Sequence, residues 1–74
     1  MKRMHVESTT LRSIGYNIET ETLELEFAGG DAYKYFHVPP SVYLELMNAD
    51  SKGAFFNTRI RDVYDYEKIT SYFA

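Results

Sequence analysis

Apolar and polar positions alternate along three consecutive segments in the first half of the chain, over residues 14–18, 23–27 and 32–38. A period of two residues is typical of a strand with one buried face. A polar stretch over residues 19–22 and the cluster Gly29–Gly30–Asp31 separate the segments, and both are typical of turns. The pattern therefore predicts an antiparallel β-meander with one apolar, aromatic face.

The loop length sets the register of the second hairpin. A three-residue loop over residues 29–31 places Leu25 opposite Tyr35, and Glu26 opposite Lys34 on the outer face, where their charges attract. A loop shorter by one residue would place Lys34 opposite Leu25 on the apolar face. Across the four-residue turn 19–22, the same parity predicts three neighbouring pairs: Ile18 with Leu23, Tyr16 with Leu25, and Ile14 with Phe27.

Two short helices and a last strand are predicted in the second half. Proline cannot donate to a ladder, so Pro39 ends the third strand, and Pro40 suits a first helical turn. Apolar residues at helical spacing predict a helix over about 41–49. Asp50 or Ser51 would cap a second helix that runs to about Ile60. Residues 63–69 alternate again and predict a final strand.

The predicted fold is therefore α+β, an antiparallel meander followed by two short helices and a final strand, in the order β-β-β-α-α-β. The helical pair would cover the apolar face of the sheet. Residues 1–9 show no period and are predicted to be a flexible N-terminal arm, which leaves a single domain over residues 10–74.

Composition narrows the possible chemistry. The 74 residues include no cysteine and only two histidines, His5 and His37, so disulfides, thiolate metal sites and a histidine-based zinc site are not expected. We expect neither a metal nor another cofactor. Seven tyrosines and five phenylalanines are more rings than so small a core can hide, so several should reach the surface. Exposed tyrosines suit an interface.

Charge and hydropathy bear on partners and location. Eight basic and eleven acidic residues give a net charge of −3, which argues against binding to double-stranded DNA. No apolar run approaches the roughly 20 residues of a membrane span, and no hydrophobic stretch follows the basic start. We expect a cytoplasmic protein without a membrane partner.

A series of short motifs, in order and spacing, resembles the KTSC domain family over roughly residues 8–69. These motifs are Ile14-Gly15-Tyr16-Asn17, Tyr33-Lys34-Tyr35, Val38-Pro39-Pro40, Ser51-Lys52-Gly53, Phe55-Phe56-Asn57, Ile60-Arg61 and Tyr64-Asp65-Tyr66-Glu67-Lys68. The family occurs alone in bacterial proteins and at the C-terminus of some lysyl-tRNA synthetases, and it has no established activity. The resemblance implies possible RNA binding, and a sheet curled into a small barrel similar to Sm-like proteins.

Tyr33 and Tyr35 are the strongest candidates for a ligand-binding pair. They would provide a stacking platform for single-stranded bases, or they would be core residues opposite Phe27 and Leu25. The predicted register favours the core. Tyr64 and Tyr66 would lie on a terminal edge strand and form a protein interface.

Lys52, Arg59 and Arg61 form the best basic cluster and would contact nucleic-acid phosphates. Ser51 and the amides of Lys52 and Gly53 would hold an anion at a helix start, or Ser51 would simply cap the helix.

No candidate catalytic constellation is visible. His37 has no nucleophile or orienting carboxylate at a suitable spacing, and the glutamates near residues 19–26 suit a solvated face better than a metal site. The sequence therefore predicts a small non-enzymatic binding module with RNA as the favoured ligand. The alternative is a protein-interaction or self-association module that uses exposed tyrosines.

Overall fold

Five antiparallel strands form one sheet in the computed structural model, which describes residues 3–69. In chain order the elements are β1 (Arg3–His5), β2 (Leu11–Asn17), β3 (Thr22–Phe27), β4 (Ala32–Tyr35), α1 (Pro40–Asn48), α2 (Lys52–Phe55), a π-helical segment (Phe56–Ile60) that continues α2, and β5 (Tyr66–Ile69). The α+β prediction is confirmed, including a meander followed by a helical pair and a final strand.

The sheet stays open. Each strand pairs with its neighbour in sequence, so β1 and β5 form opposite edges of the order β1-β2-β3-β4-β5. The predicted Sm-like barrel is therefore wrong. Val42 and Leu46 of α1, with Phe56 and Ile60 of the π-helical segment, complete the core with residues of the sheet. Because helices cover the apolar face, the sheet does not need to close on itself to bury that face.

The predicted flexible arm contains β1. Arg3, Met4 and His5 pair with Gly15, Ile14 and Ser13 of β2. A side-chain contact strengthens this docking, because Arg3 Nε donates to Glu24 Oε1 over 2.9 Å on the outer face. Polar residues without a period can still form an edge strand when an unpaired neighbour and an opposite charge are available.

In both hairpins the side chains face the predicted side of the sheet, but the observed register differs from the predicted one by two residues. Leu23 pairs with Tyr35, Leu25 with Tyr33, and Glu24 rather than Glu26 with Lys34. The loop begins one residue earlier than expected, since the Phe27 N–H donates to the Asp31 carbonyl over 2.8 Å and so closes the loop over residues 28–30. A shift of two preserves the face, so Leu25 and Tyr35 remain on the same side.

In the first hairpin, Tyr16 pairs with Leu23 and Ile14 with Leu25. Ile18 therefore lies in the turn, where it is 67% exposed. The turn starts one residue early because Asn17 Oδ1 accepts from the Glu19 N–H over 2.9 Å. An asparagine side chain that bonds the backbone two residues ahead is a common way to begin a turn.

A β-bulge adjusts β2 to the core. The register shifts between Leu11 and Ser13, and both Leu11 and Ile14 are fully buried although they are three residues apart. A bulge inserts one extra residue and restores the facing of the side chains beyond it. At the other end of the core, Tyr16 stacks on Tyr43 at 4.6 Å and donates to the Val38 carbonyl over 2.6 Å, which ties α1 to the sheet.

The last strand is shorter than predicted. Residues 61–64 form a turn, in which the Val63 N–H donates to the Ile60 carbonyl over 3.1 Å, and β5 begins only at Tyr66. Within the described range 3–69, no helix is long and apolar enough to cross a membrane.

Candidate binding groove

An aromatic groove of about 420 Å³ lies where the edge of the sheet meets the end of the π-helical segment. We call it the main groove. It is lined by Phe27, Asp31, Tyr33, Tyr35, Phe56, Arg61, Asp62 and Tyr66. Four stretches of the chain contribute: the end of β3 with the loop after it, β4, the π-helical segment with the turn after it, and β5.

Three tyrosine rings pack together in the groove. Tyr66 lies 5.7 Å from Tyr33 and 5.7 Å from Tyr35, centroid to centroid, and Tyr33 lies 6.4 Å from Tyr35. Their exposure differs, because Tyr66 is 60% exposed whereas Tyr35 is only 5% exposed. Tyr35 therefore belongs to the core, as the sequence favoured, while Tyr33 is partly buried and Tyr66 presents the most accessible ring.

Two phenylalanines, Phe27 and Phe56, pack against these tyrosine rings. Phe56 lies 5.1 Å from Phe27 and 5.8 Å from Tyr35, both in edge-to-face geometry. Such pairs hold rings in fixed orientations and add about 0.5–1.5 kcal/mol beyond area burial. These contacts fix the orientation of the aromatic rings that line the groove in the absence of a ligand.

The Tyr35 hydroxyl is kept protonated. Burial raises the pKa of Tyr35 to about 12, and the neighbouring Tyr33 and Tyr66 add to the effect. Arg61 lowers that pKa and Asp62 raises it, so both charges act on this hydroxyl. The neutral phenol can donate one hydrogen bond, and Arg61 and Asp62 line the same groove.

The turn that carries Arg61 and Asp62 is anchored by its backbone. The Arg61 N–H donates to the Phe56 carbonyl over 2.8 Å, and Asp62 adopts a left-handed conformation with φ 63°. Among the ion pairs formed within residues 3–69, none uses Arg61 or Asp62. The other carboxylate of the groove, Asp31, lies 3.5 Å from Lys68 Nζ.

The structure separates the three predicted phosphate-binding cations. Arg59 lies 3.1 Å from Glu45 of α1 and 5.2 Å above the Phe55 ring. Lys52 Nζ donates to the Ala49 carbonyl over 3.3 Å. Arg61 alone of the three lines the main groove, because the helix ends at Ile60 and the following turn changes direction.

The predicted anion site has the features of a helix cap. The Ser51 hydroxyl accepts from the Ala54 N–H over 3.2 Å, and Gly53 is buried against Thr10. A cavity of about 130 Å³ at this position is also lined by Glu7 and Asp50, whose charges oppose an anion. Anion binding by Ser51, Lys52 and Gly53 remains a prediction.

The predicted tyrosine interface is split in a similar way. Tyr66 is exposed on β5, which is an edge strand, whereas Tyr64 precedes the strand and packs partly buried against the core. The sequence did not single out Phe27, Phe56, Asp31 or Asp62 as site residues. Their types are common in cores and turns, and their proximity depends on the fold.

Comparison with known proteins identifies the family. The sequence profile of the KTSC domain matches residues 7–64. The chain belongs to the KTSC domain family. An uncharacterised protein of Stutzerimonas stutzeri is 49% identical over 57 residues, which cover 77% of this chain and 80% of that protein. The crystal structure of a KTSC domain protein from Yersinia pestis superposes with a TM-score of 0.89 at 36% identity, covering 93% of this chain and 97% of the other.

The KTSC match also extends to a larger protein. A lysine–tRNA ligase of Nostoc punctiforme is 41% identical over 64 residues, which are 86% of this chain but only 11% of the ligase. The predicted KTSC resemblance is therefore confirmed, both for a protein of similar length and for a segment of a tRNA ligase. The activity of the ligase belongs to the whole enzyme.

Proposed function

We propose that this KTSC domain is a non-catalytic module that binds single-stranded RNA in the main groove. A nucleobase stacks on the accessible Tyr66 ring and the adjacent Tyr33, and Arg61 contacts a phosphate. The observation that carries the proposal is the set of three packed tyrosines with Arg61 at the rim. Aromatic rings next to a cation are the usual elements of single-strand recognition.

The size of the groove and the net charge of the chain favour one or two unpaired bases over a duplex. A volume of about 420 Å³ lies within the range of small-ligand sites, roughly 300–1,000 Å³. The net charge of −3 opposes long-range attraction of a polyanion, so affinity must come from short-range contacts. Stacking supplies about 1–3 kcal/mol per base, which supports modest affinity.

The family comparison supports RNA as the ligand class. Related segments occur in lysine–tRNA ligases of three cyanobacterial strains, whose name includes an RNA substrate. Each matched segment is 11% of the ligase, which fits an accessory module that binds RNA beside a separate catalytic unit.

Fluorescence anisotropy with labelled single-stranded hexaribonucleotides at low salt tests the proposal. Tyr66→Ala should weaken binding by roughly 5- to 100-fold, the equivalent of one lost stacking contact. Arg61→Ala should weaken it and reduce its salt dependence. Arg59→Ala is the matched control, because Arg59 is paired with Glu45 outside the groove. No binding at about 100 μM RNA, a concentration that corresponds to a binding free energy of only about 5–6 kcal/mol, would reject RNA binding.

Protein interaction through β5 is the second candidate. Within residues 3–69, β5 is an edge strand that pairs on one side only, so the other side of its backbone can pair with another strand, and its first residue, Tyr66, is 60% exposed. Light scattering over a concentration series would detect self-association, and Tyr66→Ala should reduce it. Such an interface should change little with salt, whereas phosphate contacts weaken steeply. A monomer at every concentration, with no binding partner recovered, would contradict it.

A further inference from the structure

We infer that the main groove selects guanine among the four RNA bases, with the Asp62 carboxylate accepting hydrogen bonds from the base edge. The inference rests on the proposed RNA binding and names the base that the groove prefers. The basis of the inference is the set of polar groups that line the groove together with its aromatic rings.

The groove contains a carboxylate that forms no ion pair within residues 3–69. Asp62 lines the groove, and none of the ion pairs within residues 3–69 includes it, whereas Asp31 has Lys68 at 3.5 Å. An ionised carboxylate accepts hydrogen bonds and donates none. Its two oxygens can bind two parallel N–H groups, the arrangement that gives bidentate pairs their strength and specificity.

The backbone that carries this carboxylate is held on both sides. The backbone hydrogen bonds from Arg61 to Phe56 and from Val63 to Ile60 flank Asp62 on both sides, at 2.8 and 3.1 Å. Polar groups held in place before binding discriminate better than flexible ones, because little ordering is required.

The base edges differ in the donors they present. Guanine carries N1–H and the 2-amino group side by side, so both oxygens of one carboxylate can be used. Adenine and cytosine each offer a single exocyclic amino nitrogen on this edge, and uracil offers only N3–H. Guanine is therefore the base that forms a bidentate pair with Asp62.

A hydrogen-bond donor in the same groove suits the remaining polar atom of the guanine edge. The next atom along the guanine edge is the O6 acceptor, and the Tyr35 phenol lines the same groove as Asp62 and Arg61. The neutral phenol donates one hydrogen bond, so the groove offers this donor together with the two carboxylate acceptors. One donor and two acceptors are complementary to O6, N1–H and the 2-amino group of guanine.

Anisotropy titrations with five labelled pentaribonucleotides, UUXUU, test the inference, where X is guanosine, inosine, adenosine, cytidine or uridine. The guanosine pentamer should bind roughly tenfold tighter than the other three natural pentamers. Inosine lacks the 2-amino group and should lose most of that advantage.

Asp62→Asn is the informative variant, since asparagine tolerates the left-handed backbone of residue 62 (φ 63°) and keeps the side-chain size. It should bring the guanosine pentamer to within about twofold of the uridine pentamer, while the affinity for uridine stays unchanged. Asp50→Asn, outside the main groove, is the matched control and should keep the preference.

The possible outcomes distinguish a failure of guanine selection from a failure of the proposed RNA binding. If all five pentamers bind equally, or if the preference persists in Asp62→Asn, guanine selection is overturned while RNA binding stands. If no pentamer binds, the proposed function fails and the inference fails with it.

Discussion

Replacing Gly53 with alanine should destabilise the protein, although alanine is the better helix former. Gly53 is buried in the first turn of α2, and a Cβ built on it meets Thr10 Oγ1 in a severe clash and Thr10 Cβ at 3.0 Å. Helix propensity alone would favour alanine by about 1 kcal/mol. Overpacking of a close contact costs about 1–3 kcal/mol. Because the contact is severe, we expect a steric cost in the upper part of that range, about 2–3 kcal/mol, which leaves a net loss of roughly 1–2 kcal/mol.

Thr10 cannot easily move away. Its carbonyl accepts from the Ala28 N–H over 2.9 Å, and its N–H donates to the Ser8 hydroxyl over 3.1 Å. Rotation of the Thr10 side chain can move Oγ1 but not Cβ, which stays 3.0 Å from the added atom unless this hydrogen-bonded backbone shifts. This anchoring is why the cost should exceed the gain from propensity.

Thermal and urea denaturation followed by circular dichroism measure the effect. A loss of 1–2 kcal/mol should lower the Tm of a domain this small by roughly 4–16 °C. Gly29→Ala is the matched control, because a Cβ at residue 29 meets no heavy atom within 4 Å. The double variant with Thr10→Ala should recover part of the loss. A Gly53→Ala protein as stable as the wild type would refute the reasoning.

Three further predictions address the core, the surface and pH. Ile14→Ala should cost about 2–5 kcal/mol in urea denaturation and Ile18→Ala less than about 0.5, because Ile14 is 1% and Ile18 67% exposed; equal losses would contradict the observed register. A double-mutant cycle between Arg59 and Glu45 should give a coupling of only about 0.2–1 kcal/mol, since both side chains are half exposed; a larger coupling would contradict a solvent-screened pair. The pKa of Tyr35 is raised to about 12, so its contribution to stability is complete below pH 10 and is lost as pH rises from 10 towards 12. Urea titrations at pH 9, 10 and 11 should show a steeper decline for the wild type than for Tyr35→Phe, and parallel declines would contradict it.

Much of the candidate site could be named from the sequence, but not assembled. Tyr33, Tyr35, Tyr66 and Arg61 were each identified as candidates from residue type and motif, and all four line one groove. Arg59 could not be told apart from Arg61, because both are cations near the end of one predicted helix. Which of them faces the groove depends on where that helix ends.

The carboxylates and phenylalanines of the groove, by contrast, could not be identified as site residues from the sequence. Asp31 and Asp62 both lie in turns, where aspartate is common, so neither stands out in the sequence. They reach the same groove from segments about thirty residues apart because β4 and β5 are neighbours in the sheet. Pairing between distant strands is long-range information that local patterns do not contain.

The sequence by itself determined which residues face inward on the central strands, because strict alternation assigns every second side chain to one face whatever the register. It also determined the α+β class and, through its motifs, the KTSC family. Only the tertiary structure decided the register, the open sheet and the docking of β1. These depend on hydrogen bonds in the loops, on the helices that cover one face, and on an ion pair between Arg3 and Glu24 that joins residues far apart in the chain.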